Sequence, residues 1–116
     1  MCGIFVSYGP QINLSSHKKL TNHLIHRGPD NQEHLKINDN MMFGHTRLSI
    51  IDNSKASNQP FSDGYSIVVF NGMIYNYLEI KLKLKNFYNF KTKSDTEVIS
   101  AAYKYWGKKC FNEFNG

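Results

Sequence analysis

From Gly3 to Tyr8 large apolar residues alternate with smaller ones, and the run stops at Gly9-Pro10, which predicts a strand with Cys2 at its entrance. A helix follows, with Ser15-Ser16 as its cap, Leu20 and Leu24 four apart on one face, an end at Ile25 and a stop at Arg27-Gly28-Pro29. Residues 30–40 are polar and read as loop or weak strand. Residues 41–52 hold two short apolar runs around Gly44-His45-Thr46-Arg47, and the Asn, Ser and Pro content of residues 53–60 marks a loop. Tyr65 to Phe70 is the strongest strand pattern in the chain. Asn71-Gly72 follows it directly and the apolar pair Ile74-Tyr75 comes next, so the local pattern predicts a hairpin whose turn needs positive φ.

Two helices complete the pattern. Asn76 with Glu79 three residues later forms a capping box, and Leu78 and Leu82 give that helix an apolar edge. Ser94 with Glu97 repeats the box, and the next helix places Val98, Ile99, Ala102, Tyr103 and Trp106 on one stripe before Gly107 ends it. The order strand, helix, strands, helix, helix fits an α+β fold with antiparallel sheet. Cys110, Phe111 and Phe114 are still patterned as buried up to Asn115-Gly116, so residues 1–116 are expected to form part of a larger domain with unpaired sheet edges.

Composition narrows the class. A chain of 116 residues makes a single domain, and 41% hydrophobic with 20% charged residues is ordinary globular usage, which excludes a disordered tail. The net charge of +5 comes from dispersed lysines that suit a solvated face. The densest group, Lys81 to Lys93, encloses Phe87-Tyr88-Asn89-Phe90, a faint version of the basic and aromatic interleaving of nucleic-acid binders, and that reading predicts steeply salt-dependent binding. The expectation is nonetheless no nucleic-acid partner. No apolar segment approaches the roughly 20 residues of a membrane span, so no membrane partner is expected. Two cysteines make no disulfide framework, and no signal-peptide pattern opens the chain, so a cytoplasmic protein is expected. His23 and His26 lack a third ligand, so no metal site is expected.

Cys2 carries the candidate chemistry. Loss of Met1 leaves a thiol and an α-amine on one residue, and an amine of that kind titrates close enough to neutrality to take the proton as sulfur attacks a carbonyl. The competing role is a small buried cysteine at a strand start.

Four segments together resemble the N-terminal glutaminase domain of glutamine-dependent asparagine synthetases, a class II glutamine amidotransferase of the N-terminal-nucleophile hydrolase type. They are Met1-Cys2-Gly3-Ile4, His26-Arg27-Gly28-Pro29-Asp30, the run from Gly44 through Arg47-Leu48-Ser49-Ile50-Ile51 to Asp52, and Phe70-Asn71-Gly72-Met73-Ile74-Tyr75-Asn76-Tyr77. Gln59-Pro60 and Ser94-Asp95-Thr96-Glu97-Val98 match in the same order. The resemblance implies an incomplete four-layer αββα sandwich, antiparallel sheets flanked by helices, and L-glutamine as substrate. It assigns Cys2 as nucleophile, and Asn71 with the Gly72 N–H as the oxyanion hole. Arg47 would grip the α-carboxylate and Asp95 the α-ammonium, with backbone groups at Leu48 and Ile50 completing the pocket. It further implies a synthetase domain in cis or in trans, absent from these residues, that alone uses ATP and Mg to amidate aspartate. A homodimer is compatible with it.

The chain departs from that family at Met73, where the family has a glutamate that helps bind the substrate ammonium. The departure weakens the expected grip on glutamine. It also supports an alternative, a catalytically inert remnant acting as an interaction or regulatory module.

Overall fold

The computed structural model describes residues 1–116. Its first half is a three-stranded antiparallel sheet of order β1-β3-β2, with β1 at Gly3–Tyr8, β2 at Asn31–Asn38 and β3 at Met41–Arg47. Gly3 lies opposite Thr46 and Asn31 opposite Arg47, so both edge strands are aligned on the C-terminal end of β3. The polar residues 30–40 therefore form a full strand from Asn31 on, with an irregularity between Lys36 and Asn38. Alternation was too weak to show this, because the strand is an edge on which polar residues are tolerated.

Helix α1, Leu14–Asn22, crosses one face of this sheet. Its cap is Asn13, whose side chain accepts from the Ser16 N–H, rather than the Ser15-Ser16 pair, and the helix ends at Asn22 before a short 3₁₀ turn at Ile25–Arg27. The face turned to the sheet is polar. His17 and Thr21 are buried while Leu20 is exposed, and Leu24 lies beyond the helix. The His17 ring packs at a tilt against Phe5, with centroids 5.1 Å apart, and its Nδ1 lies 2.6 Å from Ser7 Oγ. This close approach requires Gly44: a Cβ there would come within 2.6 Å of Thr21 Oγ1 and 2.8 Å of His17 Nε2.

The second half contains a two-stranded hairpin, β4 at Phe61–Ser62 and β5 at Ile67–Val68, and two helices, α2 at Tyr77–Leu84 and α3 at Asp95–Trp106. The hairpin turn precedes the apolar run instead of following it. Gly64 takes φ 84°, and Asp63 Oδ1 accepts from the N–H groups of Tyr65 and Ser66. Gly72 is not among the residues of positive φ, so Asn71-Gly72 does not form the expected hairpin turn. The strand expected over Tyr65 to Phe70 shrinks to the two residues of β5.

Ile74, Ile80, Leu84, Val98, Ala101, Ala102 and Cys110 form the main core, with Phe70, Phe90, Trp106 and Phe114 packed against it. Helix α2 therefore buries Ile80 and Leu84, and its expected apolar edge, Leu78 and Leu82, faces solvent. Both pairs have i, i+4 spacing, so the choice between them is made by the facing small residues of α3. The Asn76 capping box does not form: Nδ2 donates to Glu113 O, and Oδ1 accepts from the Asn115 N–H. Ser94 does cap α3 through the Thr96 N–H, but Glu97 turns inward and accepts from Lys91 N–H, Thr92 N–H and Thr92 Oγ1. Along the expected α3 stripe Val98 and Ala102 are buried, Tyr103 is exposed, and Gly107 ends the helix with φ 56°. Cys110 is buried, whereas Phe111 is exposed.

In the lysine group, Lys81 lies over the Phe90 ring and donates to Thr92 O, and Lys83 pairs with Glu113. No helix is long and apolar enough to cross a membrane.

Candidate active site

Strand pairing creates the site. Because Gly3 lies opposite Thr46, the next residues outward, Cys2 and Arg47-Leu48, meet at the sheet end. The Cys2 thiol lies between both backbone groups of Leu48: the Leu48 N–H donates to Sγ at 3.4 Å, and Sγ donates to Leu48 O at 3.7 Å. Arg27 Nε donates to Cys2 O at 3.0 Å and fixes the backbone on the other side.

A cavity of about 310 Å³ opens at this point, at the small end of the range for metabolite sites. Cys2, Arg47, Leu48, Ile50, Asn71, Gly72, Met73 and Asp95 all line it, so every site residue expected from the sequence reaches one space. They come from the start of β1, the end of β3, the segment after β5 and the first residue of α3. A wider apolar groove of about 710 Å³ lies behind residues 67–74, but none of its lining side chains is titratable. The thiol, the guanidinium and the carboxylates therefore line the smaller cavity.

Arg47 is buried and partly committed. Nη1 donates to Ser54 O at 3.0 Å and Asn58 Oδ1 at 2.7 Å, and Nη2 donates to Asp52 O. A guanidinium has five N–H donors, so Nε–H and one Nη2–H remain for a further acceptor such as a carboxylate. Asn58 is itself held by Glu33, through Nδ2 to Oε1 at 2.6 Å. The loop of residues 52–58 thus wraps around the guanidinium, an arrangement with no signal in the sequence beyond its Asn and Ser content.

Asp95 is buried and accepts from the Ile74 N–H through Oδ2 at 3.0 Å, which leaves Oδ1 without a protein partner. The neighbouring Asp52 accepts from the N–H groups of Ser54 and Lys93. Burial pushes its pKa up, but the Ser54 and Lys93 hydrogen bonds prevail and hold it below the usual carboxylate range. Asn71 makes no side-chain hydrogen bond within the chain, and the Gly72 N–H has no backbone partner. Gly72 lies against the Phe70 ring, where a Cβ would fall 2.7 Å from Cζ.

Two further residues at this end were visible in the sequence only as parts of motifs. Gln59 lines the cavity and is buried, and His45 is fully buried with its ring against the carbonyl of Phe70, another lining residue. Burial lowers the His45 pKa to about 4, assisted by the Arg47 charge and opposed by the hydrogen bond to Phe70. No three His, Cys, Asp or Glu side chains gather at one point to hold a metal.

The cavity unites a thiol, unpaired N–H donors, a guanidinium edge and a carboxylate oxygen. That set can bind a small zwitterion and attack a carbonyl on it. The family described as a glutamine amidotransferase domain matches residues 1–116. The chain is 37% identical over 102 residues to a glutamine-hydrolysing asparagine synthetase of Bacillus subtilis, covering 85% of this chain and 16% of the relative. It is 35% identical over 121 residues to one of Zea mays, covering 100% and 20%. It is 38% identical over 96 residues to an amidase of Gibberella zeae, covering 80% and 14%. The chain spans between 14% and 26% of the length of such relatives.

Proposed function

The chain belongs to the glutamine amidotransferase domain family, and from that premise we propose that it is the glutamine-hydrolysing part of an asparagine synthetase-like enzyme. The observation that carries the reading is the convergence of all eight expected residues on the cavity beside the Cys2 thiol.

After removal of Met1, Cys2 Sγ attacks the side-chain amide carbon of glutamine while the new α-amine takes the thiol proton. The carbonyl oxygen becomes an oxyanion and receives hydrogen bonds from Asn71 Nδ2–H and the Gly72 N–H. Collapse breaks the C–N bond, the α-ammonium returns its proton to the departing nitrogen, and ammonia leaves a Cys2 thioester. Water attacks the thioester, the amine accepts its proton, and glutamate departs as the thiol is restored. Through this sequence Arg47 Nε–H and Nη2–H hold the substrate carboxylate, and Asp95 Oδ1 holds its ammonium. Leu48 and Ile50 close the pocket with backbone groups, and Met73 supplies an apolar wall.

In this reading residues 1–116 are part of an N-terminal-nucleophile hydrolase domain of αββα layering. The ammonia passes to an ATP- and Mg-dependent domain outside these residues, which amidates aspartate. Met73 favours a second reading, a module that has lost catalysis.

Glutamate release from glutamine by this chain, abolished in Cys2→Ala, is the expected result. A folded, Met1-free chain that releases no glutamate beyond the Cys2→Ala background would refute the catalytic reading and favour the inert module.

A further inference from the structure

Gln59 and His45 hydrogen-bond neither the thiol nor the side chains assigned to glutamine, yet both end on the backbone of one residue, Phe70. Gln59 Oε1 accepts from the Phe70 N–H at 2.6 Å, and its Nε2 donates to Thr96 Oγ1 at 3.1 Å. His45 Nε2 lies 3.3 Å from Phe70 O. A carbonyl only accepts, so the ring proton is on Nε2, and Nδ1 is a buried nitrogen without a partner. Phe70 is therefore gripped on its N–H by one side chain and on its C=O by another. Four residues later Asp95 takes the Ile74 N–H, and Asp95 adjoins Thr96, the other end of the Gln59 bridge.

Between these fixed points the backbone of residues 71–73 makes no hydrogen bond. Unpaired donors stabilise a developing charge only if their positions are set before the reaction. The Phe70 ring also underlies Gly72, so displacement of Phe70 moves the Gly72 N–H with it.

We propose that Gln59 and His45 are positioning residues, clamping Phe70 so that the Asn71 amide and the Gly72 N–H stay aimed at the oxyanion. The proposal rests on the glutaminase reading above.

The test compares Gln59→Met, His45→Leu and His45→Gln with the parent chain, by glutaminase kinetics and by ¹⁵N relaxation. A clamp acts in the transition state, so kcat falls by about ten- to a hundred-fold in Gln59→Met and His45→Leu while KM stays within about two-fold. His45→Gln, which keeps a donor near the Nε2 position, recovers most of the loss. Order parameters of Asn71 and Gly72 fall in the first two variants and recover in the third, with α3 amides unchanged. Rigid Asn71 and Gly72 amides in Gln59→Met and His45→Leu overturn the proposal. So does a parallel loss of α3 order in all three variants, since the contacts would then serve the global fold. A parent chain without glutaminase activity refutes the glutaminase reading, whereas the relaxation result still decides the clamp.

Discussion

Replacing Met73 with glutamate should tighten glutamine binding, and the structure allows the size to be worked out. Met73 lines the cavity together with Asp95. One Asp95 oxygen is taken by the Ile74 N–H, so Oδ1 is the oxygen left to meet an ammonium with three donors. A second carboxylate adds a hydrogen bond to a charged group, worth about 1.5–3 kcal/mol, or roughly ten- to a hundred-fold in KM. Repulsion between the two carboxylates is present with and without substrate, so it costs some stability and adds nothing to the binding gain. The assay is glutamate release over a range of glutamine concentrations, repeated with glutaramate, the same amide without an α-amine. Met73→Glu should lower KM for glutamine and leave KM for glutaramate unchanged or raised. Equal shifts for both substrates, or no shift for glutamine, would show that residue 73 does not face the ammonium.

Three further outcomes follow from the geometry. Asn71→Ala should lower kcat by about 10²–10³ with little change in KM, the signature of a lost oxyanion donor, measured by steady-state kinetics. His45 is neutral in the fold, with its pKa lowered from 6.5 to about 4, so the unfolded chain binds the proton more readily and stability is lost as pH falls below about 6.5. At about pH 5 the loss from this residue is about 2 kcal/mol, and urea titrations should show a smaller change between neutral and acid pH in His45→Gln. Leu84→Ala should cost about 2–5 kcal/mol whereas Leu82→Ala should stay within about 0.5 kcal/mol in the same assay, because only Leu84 is buried.

The site was more legible than the fold around it. Cys2, Arg47, Asn71 and Asp95 sit in short motifs whose spacing survives without any knowledge of strand pairing, and all reach the cavity. Tertiary context decided what the local pattern could not. Asn71-Gly72 looks like a hairpin turn, but the Asp63 side chain and Gly64 had already turned the chain, and Asp63-Gly64 was the dipeptide signal to read. Asn76 and Glu97 satisfy the capping-box pattern, yet their side chains bond backbone outside the box, at residues 113–115 and 91–92. Leu78 and Leu82 match Ile80 and Leu84 in spacing and hydrophobicity, and only the position of α3 separates them. The covered face of α1 is His17 and Thr21 because Gly44 lets polar groups approach the strand closely, a relation between residues 27 and 23 positions apart.

In the proposed function Cys2 is a processed nucleophile beside a pocket that takes glutamine. Intact mass after incubation with the glutamine-analogue electrophile diazo-oxo-norleucine, for this chain and for Cys2→Ala, tests it most directly. A single adduct on residue 2 with Met1 absent, blocked by excess glutamine and missing from Cys2→Ala, is the expected result. A folded, Met1-free chain that takes up no adduct, or one labelled equally in Cys2→Ala, would contradict it.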